Sequence, residues 1–255
     1  MSEPAAFDLD GDEGADWRRR VVDRSLRSAA ERSVDRGQAL IRAAGAVLDR
    51  NGGEDITVQA VADEAGQSLR TLYQYFSSKD DLLLAVFEES MRTYAQLIRR
   101  AIEPLDDPLE RLAGALVAAI RMPEFTGSGM DRGLARLRLR LADSEPERVG
   151  RAQSALVALL RSLVDDAATA GKIQVADADA ATFMVLALNA AHITAGTLGN
   201  DAGVGRPAEP VVVAFCLRGL GADADPKWLK DVESRLAMPK PTAKAKAKAK
   251  AKSKR

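Results

Sequence analysis

Residues 57–81, "TVQAVADEAGQSLRTLYQYFSSKDD", hold two helical segments too short to bury an apolar face by themselves. Thr57 can cap the first, with Val58, Val61, Ala62 and Ala65 turned inward, and Gly66 suits the left-handed backbone that ends it. Ser68 can cap the second, whose inward residues are Leu69, Leu72 and Phe76. Ser78 followed by Asp81 resembles a capping box and opens a longer helix to about Glu103. Leu83, Val86, Phe87, Ser90, Tyr94, Leu97 and Ala101 mark its face. The short pair needs a further wall. Val34–Asn51 supplies it, with Leu40, Ala44, Val47 and Leu48 in one stripe that Gly52-Gly53 stops.

Three helices in that order, the last two meeting through Gly66-Gln67-Ser68, have the layout of a helix-turn-helix, whose second short helix enters the major groove. Its outward set fits that role. Leu69, which stands in both sets, Arg70, Thr71, Tyr73, Gln74 and Tyr75 provide a guanidinium, an amide, hydroxyls and an apolar contact. These groups match guanine, adenine, phosphate and the thymine methyl. The competing reading, in which the aromatic residues only pack a bundle, holds for Phe76 and in part for Tyr75.

At "NGGEDITVQAVADEAG", the Ser-started helix, "TLYQYF" and "SKDDLL" the chain resembles the TetR family of bacterial transcriptional regulators. The strong part of the resemblance covers about Arg36–Val86. It implies an all-α homodimer on a palindromic operator in double-stranded DNA, usually a repressor released by a small molecule in the C-terminal domain. By resemblance Thr57, Thr71, Tyr73 and Lys79 contact phosphate, and Leu69, Arg70 and Gln74 face base edges. Ser68 belongs to the same DNA-binding set. Gln67 departs from the family, which usually has a small apolar residue there. A local hydrogen bond or an added DNA contact could explain it, and the first is favoured.

Charge raises a difficulty for this reading. Residues 33–79 carry five basic groups and six acids, whereas DNA affinity rests largely on neutralised phosphates. The net charge of zero hides an asymmetry. The first 16 residues hold six acids and no base, residues 240–255 hold eight basic groups and no acid, and residues 1–239 therefore carry 29 bases against 37 acids. The arm "WRRRVVDRSLRSAAERSVDR" has seven arginines. It can reach phosphates or a minor groove, or be a solvated helical extension. The tail "KPTAKAKAKAKAKSKR" suits sequence-independent phosphate contact, or serves only solubility.

Further helix starts stand at "DPLE", with Asp107 as cap, and at "SEPE", with Ser144 as cap. The stripe Ala152, Leu156, Leu159, Leu160, Leu163 and Ala167 ends at Gly171. Helices are expected over about 179–197 and 208–220. "LRLRL" and "VVVAFCL" could be strands but lack partners, and both are taken as helical. The expected architecture is all-α: a disordered acidic N-terminus (1–16), a basic arm that can be helical (17–33), a three-helix helix-turn-helix DNA-binding domain (34–80), a larger helical effector-binding and dimerisation domain (81–236), and a disordered Lys-rich tail (237–255).

The resemblance places the dimer contact on the last two long helices and a hydrophobic effector between the fourth helix and those after it. Phe125, Met130, Phe183, Asn189 and His192 are the effector-binding candidates, although a lone histidine on an apolar helix is more often a core residue. The segment "MPEFTGSGMDRG" is a pocket mouth or an ordinary flexible connection. One cysteine excludes a disulfide framework, and Cys216 is read as a packing residue. No leader is evident, and Ala180–Gly196 is read as a buried helix rather than a membrane span. These features point to the cytoplasm and the nucleoid. No cofactor or metal is expected. One histidine, no Cys–His pair and no phosphate-binding glycine loop leave little for an enzyme. The alternative function is an architectural nucleoid protein that uses its lysine tail.

Overall fold

The computed structural model describes residues 15–54, 56–125, 128–199, 203 and 205–238. The side chains at 15, 16, 18, 123–130, 143 and 144 lie outside that description, as do the acidic residues 1–14 and the lysine tail from 239. The described residues form helices and no strand.

Helix α1 is continuous from Ala15 to Arg50, so the helix expected to start at Val34 begins far earlier. Between Trp17 and Arg36 there is no glycine or proline, and Arg, Ala, Leu and Glu favour the helical backbone, so nothing interrupts it. The next three helices start where their caps predict. In α2 (Val58–Ala65) the Thr57 side chain accepts the Ala60 N–H, and Gly66 closes the helix at φ 63°. In α3 (Leu69–Tyr75) Ser68 accepts from Thr71 N–H, and in α4 (Lys79–Ala101) Ser78 accepts from Asp81 N–H.

Helix α5 (Pro108–Phe125) is capped by Asp107 as expected, through the Leu109 and Glu110 amides. "LRLRL" is helical, inside α6 (Ser128–Ser144). Two boundaries differ from expectation. Ser144 ends α6 instead of capping its successor, and α7 (Pro146–Ala152) is entered at Glu145, with Pro146 in the first turn, where a missing N–H costs nothing. The stripe from Ala152 to Ala167 is broken at Gln153, after which α8 (Ser154–Thr169) begins. Helices α9 (Ala178–Leu198) and α10 (Glu209–Gly219) follow close to their expected spans. A last helix, α11 (Pro226–Arg235), was not anticipated. Asp225 caps it and Leu229 and Val232 bury its inner side. Arg121 of α5 holds both α10 and α11, through Glu209 at 2.8 Å and Glu233 at 2.5 Å.

Two apolar clusters share α4. Its first half, Leu82–Phe87, packs with α1, α2 and α3, and its second half, Tyr94–Ala101, packs with α5, α8, α9, α10 and α11. The first cluster is completed by Leu134, Leu137 and Leu141 of α6 and by Val149 and Ala152 of α7. The head formed by α1, α2 and α3 thus rests directly on helices from the larger body.

Candidate nucleic-acid interface

Helix α3 is seated by one side and offers the other. Leu72 is fully buried and Phe76 nearly so, and burial of such side chains contributes about 2 kcal/mol each. Leu69 is half-buried against the same core, so its apolar surface is shared between packing and whatever lies outside. At about 100° per residue, Arg70, Tyr73 and Gln74 fall within one ~100° arc on the opposite side. All three are exposed, Tyr73 by 53%, and have no side-chain hydrogen-bond partner among the described residues.

The other expected contacts are built into the scaffold as well as displayed by it. Thr57 is exposed while its oxygen caps α2. Ser68 caps α3, and its hydroxyl lies 2.9 Å from that of the half-buried Thr71. Tyr75 is half-buried: its hydroxyl lies 3.3 Å from Ser33 Oγ, and a Cβ on Gly37 would sit 3.6 Å from its ring. Lys79 stands half-exposed in the first turn of α4, at the helix end whose dipole favours an anion. Gln67 donates through its amide nitrogen to the Arg36 carbonyl at 3.2 Å, an intramolecular bond as favoured, but to a residue 31 positions away and not a local one.

The acids that follow Lys79 are matched from the body, which the sequence reading missed. Asp80 and Asp81 next to Lys79 are paired with arginines from the body, Arg140 at 2.5 Å and Arg148 at 2.6 Å. Burial opposes ionisation of Asp81, but Ser77 N–H and Oγ together with Arg148 hold its carboxyl below the ordinary range. Glu64 is likewise matched by Arg50 at 2.6 Å. Three arginines at helical spacing on α6 reach the head. Arg132 lies near Gly52, Arg136 donates to the Gly53 carbonyl at 2.9 Å, and Arg140 pairs with Asp80. Their i, i+4, i+8 spacing was visible inside the segment read for its alternating leucines.

The effector candidates separate. Asn189 and His192 are buried on the inner side of α9, which packs against α5, α6 and α8. Phe183 does not join them. It is 68% exposed on the outer side beside Met184, because an inner stripe through Ala181, Thr182 and Val185 leaves position 183 facing away. The side chains of Phe125 and Met130 lie outside the described residues. A buried pair missing from the expectation is Tyr94 of α4, whose hydroxyl donates to Asp131 of α6 at 2.5 Å. Burial, then the charge of Arg206, holds His192 below its ordinary value. Burial pushes the Cys216 thiol up to about 11, which suits packing and not thiolate chemistry.

Residues 40–86 match the family model of the bacterial regulatory proteins, tetR family. The transcriptional regulator HbdR of Aromatoleum sp. strain CIB is 38% identical over 84 residues, 33% of this chain and 37% of its own length. The transcriptional activator FasR of Mycolicibacterium smegmatis is 36% identical over 98 residues, 38% of this chain and 44% of its own. The matched segments span less than half the length of these curated relatives. Over most of the chain the fold is that of solved regulators. RolR in complex with resorcinol superposes with a TM-score of 0.62 at 20% identity, covering 84% of this chain and 100% of RolR. FadR from Bacillus subtilis in complex with stearoyl-CoA gives 0.56 at 23% identity, covering 71% of this chain and 98% of FadR.

Proposed function

We infer that this chain belongs to the tetR family of bacterial regulatory proteins and is a sequence-specific DNA-binding transcriptional regulator of the cytoplasm, a homodimeric repressor released from a palindromic operator by a small hydrophobic ligand. The observation that carries the reading is α3 itself. A buried side anchors the helix while Arg70, Tyr73 and Gln74 project as a guanidinium, a phenol and an amide. A guanidinium pairs with guanine O6 and N7 and an amide with adenine N6 and N7, while Tyr73, Thr57, Thr71 and Lys79 take phosphates. Residues 34–80 act as the reading head and residues 81–236 as the sensing and pairing body.

Pairing is supported by α9 and α10. Helix α9 carries apolar residues on more than one side, yet one chain buries only one of them. Its Phe183 and Met184 are exposed together with Val211 and Phe215 of α10. A second copy covers such a face isologously and sets two recognition helices on one side of the duplex. Liganded neighbours support a sensing body, since RolR was solved with resorcinol and FadR with stearoyl-CoA. The comparisons do not favour the architectural alternative.

Selection of bound fragments from random DNA tests the function. A short palindromic site, protected in both halves, is expected. Recovery of fragments without a shared motif would overturn the reading in favour of general DNA packaging.

A further inference from the structure

Two polar side chains on the inner side of α9 end in buried atoms with no partner. Asn189 is 4% exposed and His192 6%. Geometry fixes which atom is which. The Asn189 amide nitrogen faces the Val185 carbonyl at 3.0 Å, and a carbonyl can only accept, so Oδ1 is the atom left over, a buried acceptor. Arg206 Nε lies 3.0 Å from His192 Nε2. The guanidinium is always protonated and donates, so Nε2 is bare, the neutral ring carries its proton on Nδ1, and that Nδ1–H is a buried donor without a partner.

The arrangement around Arg206 is specific. Its guanidinium crosses Gly196, where a Cβ would lie 2.2 Å from Nη1. A glycine here leaves room for the guanidinium on its present path to the histidine, so Gly196 and Arg206 together favour this tautomer. Thr182, the remaining buried polar residue of this side, is satisfied by the Ala178 carbonyl at 2.7 Å.

An unsatisfied acceptor and an unsatisfied donor therefore stand three residues apart on one face. Side chains at that spacing have Cβ atoms about 5–6 Å apart, which one oxygen with two hydrogen bonds of about 2.8 Å can bridge. We propose that Asn189 Oδ1 and His192 Nδ1–H form the polar end of the effector site and together hold a neutral hydroxyl group, as in an alcohol or a phenol, which donates to the first and accepts from the second. The proposal rests on the regulator reading and specifies the effector's chemistry. A carboxylate satisfies the histidine but faces the amide oxygen lone pairs, an ammonium satisfies the amide but faces the histidine N–H, and a hydrocarbon satisfies neither. Leaving a buried group unpaired is the larger part of such discrimination.

His192 is the only histidine, so the full chain labelled with 15N-histidine shows one pair of ring nitrogen resonances. Benzyl alcohol and 1-octanol are titrated against benzoate, octanoate, benzylammonium and toluene. Without any probe, Nδ1 should show as the protonated nitrogen. An alcohol should move the Nδ1 resonance and bind at least about tenfold tighter than toluene or either acid. Asn189→Leu should remove that preference while leaving toluene binding in place. Gly196→Ala displaces Arg206 and should release the fixed tautomer with no probe present, a readout that survives if Asn189→Leu fails to fold. Equal binding of alcohol and toluene, preference for a carboxylate, or alcohols that fail to bind or leave Nδ1 unmoved would each overturn the site. DNA selection by the unliganded protein is scored in parallel. Its loss counts against the regulator, whereas intact selection without alcohol preference counts against the hydroxyl site alone.

Discussion

Arg70 and Tyr73 are neighbours on one exposed arc of α3, yet they should fail in different ways when changed. Arg70 has no intramolecular partner among the described residues, so Arg70→Ala should leave the fold intact and, on the proposed reading, remove a bidentate base contact. A loss of about 1–3 kcal/mol confined to one operator position is expected, with relaxed preference there. Tyr73→Phe removes an exposed hydroxyl that the proposed reading assigns to phosphate, and should weaken all duplexes alike. Competition binding against single-position operator variants separates the two, and an unchanged base ranking for Arg70→Ala sinks its assignment. Much of this scale was legible in the sequence, because a cap is a local interaction. Thr57, Gly66, Ser68 and Ser78 do what their types and positions predict. Phe183 was not legible, because an apolar helix such as α9 gives no periodic cue to its inner side, and only its neighbours decide it.

Helix α6 belongs to the body by sequence position and to the head by contact. Gly133 lets it approach so closely that an added Cβ would sit 2.7 Å from Leu48 Cδ2, and Arg136 and Arg140 fasten it to the α1–α2 turn and to α4. Tyr94–Asp131 joins its first turn to the middle of α4. A displacement of α6 would therefore act on the head through direct bonds. Arg136→Ala combined with Arg140→Ala should keep the selected DNA motif but blunt release by ligand, read as a smaller ratio of operator affinities without and with effector. An unchanged ratio would remove α6 from the coupling. The Asp81–Arg148 contact predicts a pH dependence. The folded pKa of Asp81 lies below 3.8, so its contribution is complete above the unfolded value and disappears as pH falls through the folded one. Asp81→Asn should melt below the wild type at pH 6, and the gap should narrow below about pH 4. A constant gap would place the stabilisation elsewhere. The arginine ladder was readable as i, i+4, i+8 spacing, but its partners, Gly53 and Asp80, lie about 60–83 residues away, and no local pattern names them.

At the scale of the whole molecule, affinity and geometry have different sources. The lysine tail adds positive charge. If five of its eight bases engage duplex, full chain and a 1–239 truncation should differ by roughly 4–5 in the slope of log affinity against log salt, with the same selected motif. Superimposable slopes would leave the tail a solubilising end. Geometry comes from pairing. The exposed side of α9 and α10 presents Phe183, Met184 and Phe215 at 68–69% exposure and Val211 at 59%, an apolar surface that water covers poorly. The single-chain core lies on the inner side of the same helices, so substitutions on the outer side need not disturb it. Phe183→Lys with Phe215→Lys places two charges on each chain, opposite their own kind across a two-fold axis, and desolvating them costs more than the lost aromatic burial alone. Sedimentation should show monomers of unchanged helical content. Each monomer retains an intact α3, so half-site recognition survives, but the linkage between half-sites about 34–36 Å apart, or a multiple of that, is gone. The full palindrome should then bind hardly better than an isolated half-site, whereas the parent protein should prefer it strongly. A double variant that stays dimeric and keeps that preference would move the pairing surface away from α9 and α10.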